Sequence, residues 1–164
     1  MTVQEPVFKK LHVHRIRPDK GTGLFADEPI LRGELVLHFE GKFGSDAETN
    51  AESMQIDENR FLQSTIFVDD NLNHSCSPNC RIDWNTLDLV ALQDIAEGEE
   101  ITVNYCTFEY DLLYPDMDCR FNCVCGQSNC YGYVRGFHFL PQAEKERLRP
   151  LRSPFLLKKL NAGS

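Results

Sequence analysis

Short runs of apolar residues, each closed by a turn residue, recur along most of the chain. Alternation of apolar and basic positions predicts a first strand over residues 7–16, and a second apolar run predicts one over 34–39. Further strands are expected at about residues 61–68, 80–84, 87–92 and 100–104, with a hairpin turn through Asn85-Thr86. This pattern indicates a mostly β fold built from several small sheets.

Helical patterns are few and short. Residues 46–52 can form a short helix capped by Ser45 or Asp46. Residues 142–149 predict a second helix, which starts after Pro141 and stops at Pro150. We expect residues 150–164 to form a loosely held basic tail.

The bulk composition is that of one ordinary globular domain. The chain has 164 residues, 41% of them hydrophobic and 26% charged, which is enough for one core and not for a second full domain. No run approaches the roughly 18 apolar residues of a membrane span, and residues 1–11 lack the apolar core of a signal peptide. These features predict an intracellular protein, in the cytoplasm or the nucleus.

Charge is unevenly distributed. Residues 141–164 carry six Lys or Arg and two Glu, a net charge of +4, so the first 140 residues carry −12 of the total of −8. An acidic body repels nucleic-acid phosphate and attracts basic peptides. We therefore expect a basic protein segment as partner, with no direct nucleic-acid binding and no membrane. The alternative is that the acidic surface serves only solubility.

One polar loop concentrates side chains that can do chemistry. Residues 73–80 read NHSCSPNC, which places an amide, an imidazole, hydroxyls and two thiols between apolar runs. Pro78 disfavours helix for the residue before it, and Asn and Ser favour turns. The segment is predicted to be a tight, non-helical loop, either a functional one or an ordinary surface turn.

The seven cysteines all lie between positions 76 and 130. An odd number in a close cluster suits a metal site in a reducing compartment better than a set of disulfides. Cys123, Cys125 and Cys130 offer three ligands, and a structural zinc ion takes four. Spacing alone leaves the fourth ligand open among Cys76, Cys80, Cys106 and Cys119.

Four stretches in order give a more specific signal: KGTG at 20–23, NHSC at 73–76, GEEITVNY at 98–105 and CVCGQSNC at 123–130. Together they resemble a SET-domain protein lysine methyltransferase with its post-SET zinc module, over about residues 7–140. The resemblance implies a SET domain at 1–118, a post-SET module at 119–140, and a C-terminal helix and basic tail at 141–164. It also implies small sheets, short helices, a knotted-looking C-terminal segment and Cys76 as the fourth zinc ligand.

The resemblance further implies a pocket for S-adenosylmethionine and a narrow lysine channel that meet at the methyl group. Tyr105 would be the catalytic residue beside the sulfonium. The cofactor would be contacted by Gly21, Thr22 and Gly23 through backbone, by Asn73 and His74, and by Tyr105.

The lysine channel is expected to contain Phe39, Phe108 and Tyr110. The family usually has Tyr-x-Gly where this chain has Phe39-Glu40-Gly41, so one channel hydroxyl is absent. Without that hydroxyl the substrate amine can rotate more freely in the channel, which favours the addition of further methyl groups. Thr107 stands where the family often has Phe or Tyr, and Phe108 or Tyr110 could fill that role.

The first functional hypothesis is therefore methyl transfer from S-adenosylmethionine to a lysine of a protein, such as a histone or another basic protein. The alternative is a catalytically silent SET-like zinc module that binds a basic peptide or partner protein. Cofactor binding separates the two. A third hypothesis, a zinc-knuckle nucleic-acid binder, needs a basic surface that the −12 body does not offer.

Overall fold

The computed structural model describes residues 9–18, 20–63 and 68–162. Its strands are β1 (Leu11–Arg17), β2 (Gly21–Ala26), β3 (Leu35–His38), β4 (Phe43–Gly44), β5 (Met54–Asp57), β6 (Arg60–Leu62), β7 (Asn73–His74), β8 (Cys80–Asp83), β9 (Asp88–Ala91), β10 (Glu100–Val103), β11 (Leu113–Tyr114), β12 (Met117–Asp118), β13 (Phe121–Asn122) and β14 (Tyr133–Val134). The 3-10 helices are Asp46–Glu48, Val68–Asn71, Tyr105–Thr107 and Phe137–Phe139, and the α-helices are α1 (Gln142–Arg147) and α2 (Pro154–Asn161). The predicted mostly β fold is confirmed. Within the described ranges, no helix has the length and apolar character needed to cross a membrane.

The strands form small sheets. One has four strands in the order β1-β2-β10-β7, two have three strands, β3-β9-β8 and β4-β6-β5, and β11-β12 and β13-β14 are two-stranded. In the four-stranded sheet β10 pairs with β7 in parallel, so that Thr102 lies beside Asn73 and Val103 beside His74. This pairing brings two of the sequence motifs side by side.

The predicted hairpin is confirmed as β8-β9, which pairs Cys80 with Ala91 and Asp83 with Asp88 around a turn at 84–87. β1 starts at Leu11, and the predicted positions 7 and 8 lie outside the described residues. The strand expected at 61–68 corresponds to β6, and residues 64–67 again lie outside the described part. The helix expected at 46–52 spans only Asp46–Glu48, capped by Ser45.

The main core joins the larger sheets. Its most buried side chains come from β2, β3, β9 and β10 and from the loop before β10, and include Leu24, Val36, Leu89, Ile95 and Ile101. A second cluster, around Cys106, Val134 and Leu148, lies under the C-terminal third of the chain. Alternate strand positions supply these side chains because successive residues of a strand face opposite sides.

The expectation of a loose C-terminal tail was wrong. Residues 154–161 form α2, and Ser153 caps it by accepting a hydrogen bond from Leu156 N at 3.3 Å. Phe155 and Leu156 are buried, in a cluster with Phe137. Two lysines of α2 also pair with the β5-β6 turn, Lys158 with Asp57 at 2.9 Å and Lys159 with Glu58 at 2.8 Å. Phe155 and Leu156 stand among basic residues, and for that reason composition alone predicted a loose tail and not a docked helix.

We predict that Leu156→Ala destabilises the protein by about 2–5 kcal/mol, because it leaves a cavity at a position with no exposure. The matched control is Leu157→Ala on the same helix, where the side chain is 44% exposed and the cost should stay within about 0.5 kcal/mol. Urea unfolding of both variants measures the difference. Equal effects would mean that α2 does not dock as described.

Candidate functional site

Tyr105 follows β10 and is held at both ends. Asn104 caps the short helix that Tyr105 begins, its side chain accepting from Cys106 N at 2.9 Å. The Tyr105 hydroxyl donates to the Leu72 carbonyl at 2.6 Å, and the Tyr105 backbone N–H donates to His74 Nδ1 at 3.0 Å. These hydrogen bonds hold the side chain of Tyr105 in one position.

His74 connects this tyrosine to the cysteines. The side chain is 5% exposed, and burial lowers its pKa to about 3, so the ring is neutral. Because Nδ1 accepts from Tyr105, the ring proton belongs on Nε2, which lies 3.3 Å from Cys76 Sγ. One imidazole thus bridges a thiol and the backbone of Tyr105.

Two cavities meet at Tyr105. The main cavity has a volume of about 390 Å³, and the cysteine-side cavity has about 270 Å³. Tyr105 and Phe121 line both, with their rings 5.8 Å apart. These two rings form a wall between one chamber and the next.

The cysteine-side cavity combines charged, amide and aromatic groups. It is lined by Lys20, Asn73, His74, Tyr105, Phe121, Asn122, Cys123, Val124 and Cys125. Lys20 pairs with Glu100, and each side chain is only 16% exposed. Asn73 Nδ2 donates to Glu100 Oε1 at 2.8 Å and to the Thr22 carbonyl at 2.7 Å. The predicted cofactor residues Asn73, His74 and Tyr105 are therefore brought together here.

The glycine turn stands at the edge of this network. Gly21 has a φ of +72°, which favours glycine, and begins β2. A Cβ on Gly23 would lie 2.8 Å from both Glu100 Oε1 and Ile16 Cδ1, so a side chain there would require both neighbours to move. Lys20 is the residue of the turn at 20–23 that lines the cysteine-side cavity. Cofactor contact by Gly21, Thr22 and Gly23 stays a prediction.

The main cavity has aromatic walls and an acidic character. Its rings belong to Phe39, Tyr105, Phe108, Tyr114 and Phe121, and its carboxyl groups to Glu52, Asp69, Asp70, Glu109 and Asp118. Arg120 also lines it, and pairs with Asp118 at 2.5 Å. Carboxylates and ring faces both attract cations. The cavity is suited to a cationic group.

Two of the three predicted channel residues lie at the main cavity. Phe39 and Phe108 line it and are nearly buried. Tyr110 instead packs its ring 5.0 Å from that of His138 and 6.3 Å from that of Phe155. Its placement gives no support to a channel role, because the chain turns after Phe108 and directs the next ring toward α2.

The predicted metal ligands converge. The sulfur atoms of Cys76, Cys123, Cys125 and Cys130 all lie within 4.8 Å of one another, and Cys76 Sγ and Cys123 Sγ are 3.8 Å apart. Four thiolates at about 2.3 Å from a tetrahedral zinc ion would be about 3.8 Å from each other. The group therefore fits zinc. Cys80 and Cys106 are buried elsewhere, and Cys119 is half-buried.

Sequence reasoning missed several side chains that line the cavities, including four that bear on the chemistry. Lys20 and Phe121 line the cysteine-side cavity, and Glu109 and Tyr114 line the main one. Lys20 could have been found from its place beside the glycine turn, and Phe121 from its place two residues before Cys123. Glu109 and Tyr114 carry no sequence signal, because their meeting depends on the fold.

A family model described as SET domain matches residues 21–106, more than half of the chain. This chain belongs to the SET-domain family. A protein of Chaetomium globosum named Histone-lysine N-methyltransferase, H3 lysine-4 specific, is 30% identical over 138 residues, which cover 68% of this chain and 12% of that protein. Methyltransferase flvH of Aspergillus flavus is 38% identical over 66 residues, which cover 39% of this chain and 34% of that protein. This SET-domain chain therefore matches only a minor part of each relative.

Solved structures show the same fold. A crystal structure of KRYPTONITE in complex with mCHH DNA, H3(1-15) peptide and SAH superposes with a TM-score of 0.64 at 23% identity. The match covers 77% of this chain and 30% of that one. The predicted SET fold is thereby confirmed.

We predict that Cys125→Ser releases zinc from the purified protein, because three thiolates and a hydroxyl bind the ion far less well. Cys119→Ser, in the same part of the chain but outside the four-sulfur group, should keep about one zinc per chain. Elemental analysis after gel filtration with a mild chelator measures both. Folded wild-type protein without zinc would refute the site, and so would equal zinc in both variants.

Proposed function

We propose that this SET-domain chain transfers a methyl group from S-adenosylmethionine to a lysine side chain of a protein, with a histone or another basic protein as substrate. The observation that carries the proposal is the pair of cavities sharing the wall of Tyr105 and Phe121. A methyl donor in the cysteine-side cavity and a substrate amine in the main cavity would meet at Tyr105. Family membership and the histone-lysine methyltransferase names of relatives support the same reaction.

The cysteine-side cavity suits the cofactor by its donor set. Lys20 offers an ammonium for a carboxylate, Asn73 an amide, and Phe121 an aromatic face, while Glu100 holds Lys20 and Asn73 in place. We assign cofactor holding to these groups together with Asn73, His74 and the backbone of residues 21–23. When bound, S-adenosylmethionine supplies an electrophilic methyl group on a sulfonium.

The main cavity would receive the lysine. Its carboxylates attract the ammonium at the mouth, and the rings of Phe39 and Phe108 remove water around the side chain. Desolvation disfavours the charged form of an amine and lowers its pKa, which releases the nucleophilic lone pair. Holding the amine in one position supplies a further part of the rate.

Tyr105 would act as the catalytic residue by orientation. Burial raises the pKa of its hydroxyl, so the group stays protonated and is no strong base. Its hydrogen bond to the Leu72 carbonyl fixes the oxygen at the wall between the cavities. From there the phenol oxygen can accept from the amine and contact the polarised methyl group.

The silent-module alternative uses the same acidic cavity to bind a basic peptide without chemistry. It gives no role to the separate cavity on the cysteine side, and we therefore rank it second. Direct nucleic-acid binding is not expected from the −12 body, although the KRYPTONITE complex contains DNA. A histone substrate would place the reaction in the nucleus.

We expect Tyr105→Phe to lower turnover about 10²-fold or more while cofactor affinity changes little, because only the orienting oxygen is lost. Turnover on an H3(1–15) peptide and a pool of lysine-rich proteins, and calorimetric cofactor binding, measure the two effects. Near wild-type turnover of the variant would refute the catalytic assignment. A wild type that binds basic peptides but neither binds nor uses the cofactor would favour the silent module.

A further inference from the structure

Glu109 is an unusual side chain in this molecule. It is 3% exposed, and among the residues whose side chains the structure describes it is the only buried Asp, Glu, Lys or Arg. Carboxyl groups are almost never fully buried unless a partner or a function keeps them there. Its location therefore needs an explanation beyond solubility.

The position of Glu109 relative to Tyr105 is fixed by the backbone. Glu109 N donates to the Tyr105 carbonyl at 2.8 Å, which places Glu109 one turn after the tyrosine. Both side chains line the main cavity. Glu109 therefore lies at the chamber in which the proposed substrate amine would approach Tyr105, close enough for its charge to act on the tyrosine.

The partners of Glu109 leave it able to accept a proton. Oε1 accepts from Gln55 N at 3.1 Å, and Oε2 accepts from the Tyr114 hydroxyl. Both donors are neutral groups. A carboxylate has about four acceptor positions, so two hydrogen bonds leave acceptor capacity on each oxygen.

We propose that Glu109 is a further catalytic residue, the group that takes the proton from the substrate ammonium in the main cavity. This inference rests on the proposed function. An N–H bond of the ammonium breaks and its electron pair stays on nitrogen, while the proton forms an O–H bond with the Glu109 carboxylate. The neutral amine is then the nucleophile, and the proton leaves Glu109 for solvent through the cavity mouth.

Electrostatics agrees with this geometry. Burial raises the pKa of Glu109 to about 7, which is near the value that an acceptor working at neutral pH needs. The titratable side chains that interact with Glu109 from the segments packed around it are Tyr105, Cys106, Asp111, Tyr114 and Cys119. β5 contributes Gln55, which does not titrate, and Glu52 lines the same cavity.

Two neighbours tune the carboxyl group in opposite directions. The hydrogen bond from Tyr114 lowers the pKa of Glu109, and the charge of Asp111 raises it. Tyr114→Phe should therefore raise the pKa of Glu109, and Asp111→Asn should lower it. Asn at position 111 can keep the acceptor that Asp111 Oδ1 presents to Leu113 N at 3.1 Å.

The test uses the 164-residue chain with zinc and compares wild type, Glu109→Gln, Tyr114→Phe and Asp111→Asn. Nuclear magnetic resonance of protein labelled with ¹³C at the Glu carboxyl carbons measures the pKa of Glu109 without cofactor. The pH dependence of kcat/KM is then measured with an H3(1–15) peptide and a pool of lysine-rich peptides. Thermal melting verifies that each variant is folded.

We expect wild-type kcat/KM to fall as pH drops through the measured pKa of Glu109, because a protonated carboxyl group cannot accept. Tyr114→Phe should move that fall to higher pH and Asp111→Asn to lower pH, each by the shift seen for the carboxyl group. Glu109→Gln should lose about 10²-fold at neutral pH and lack this phase of the profile.

A purely structural role gives a different result. The pKa of Glu109 would move in Tyr114→Phe and Asp111→Asn while the kinetic profile stayed in place, and this would overturn the proposal even if Glu109→Gln failed to fold. Near wild-type turnover of folded Glu109→Gln would also overturn it. Absence of turnover by the wild type at every pH would instead refute the proposed function, and this inference with it.

Discussion

The site depends on the parallel pairing of β7 with β10. Thr102 and Val103 lie beside Asn73 and His74, and the chain then turns so that Tyr105 N can donate to His74 Nδ1. Side chains some thirty residues apart are thereby placed around one point. The imidazole accepts from the tyrosine backbone and faces Cys76 Sγ, so the cysteine group, the proposed cofactor residues and the proposed catalytic residue share one support. Loss of metal would disturb Tyr105 through this ring.

The two cavities differ in chemistry because different parts of the fold form them. The cysteine-side cavity joins the turn before β2, β7 and the segment at β13, and its lining includes Lys20, which forms a half-buried ion pair with Glu100. The main cavity joins β5, the turn after β10 and the hairpin β11-β12, and it is acidic and aromatic. Glu109 connects all three of these elements through Gln55, Tyr114 and its own backbone bond to Tyr105. One side chain thus shapes the chamber and supplies the proposed proton acceptor.

Much of this could be predicted from sequence where a local pattern was strong. The β8-β9 hairpin followed from its turn, and the sulfur group followed from the spacing of three cysteines together with the family resemblance for Cys76. α2 was missed because Phe155 and Leu156 stand among basic residues, and their burial depends on Phe137. The Glu109–Tyr114 contact was missed for a similar reason, since no local pattern records which buried groups will meet. Tyr110 was expected in the channel as one of two rings that could fill the role of the family's Phe or Tyr at position 107, but the turn after Phe108 directs it to His138.

The central claim is that cofactor and amine occupy opposite sides of the wall formed by Tyr105 and Phe121. Titration of ¹⁵N-labelled protein with S-adenosylhomocysteine, followed by addition of an H3(1–15) peptide, tests it most directly by nuclear magnetic resonance. We predict that the first ligand shifts the amide signals of residues 20–23, 73–74 and 122–125. The peptide should then shift those of Glu52, Glu109 and Tyr114. The account would be contradicted if both ligands shifted the signals of the same cavity. It would also be contradicted if S-adenosylhomocysteine shifted the signals of Glu52 and Glu109 and left those of residues 73–74 unchanged.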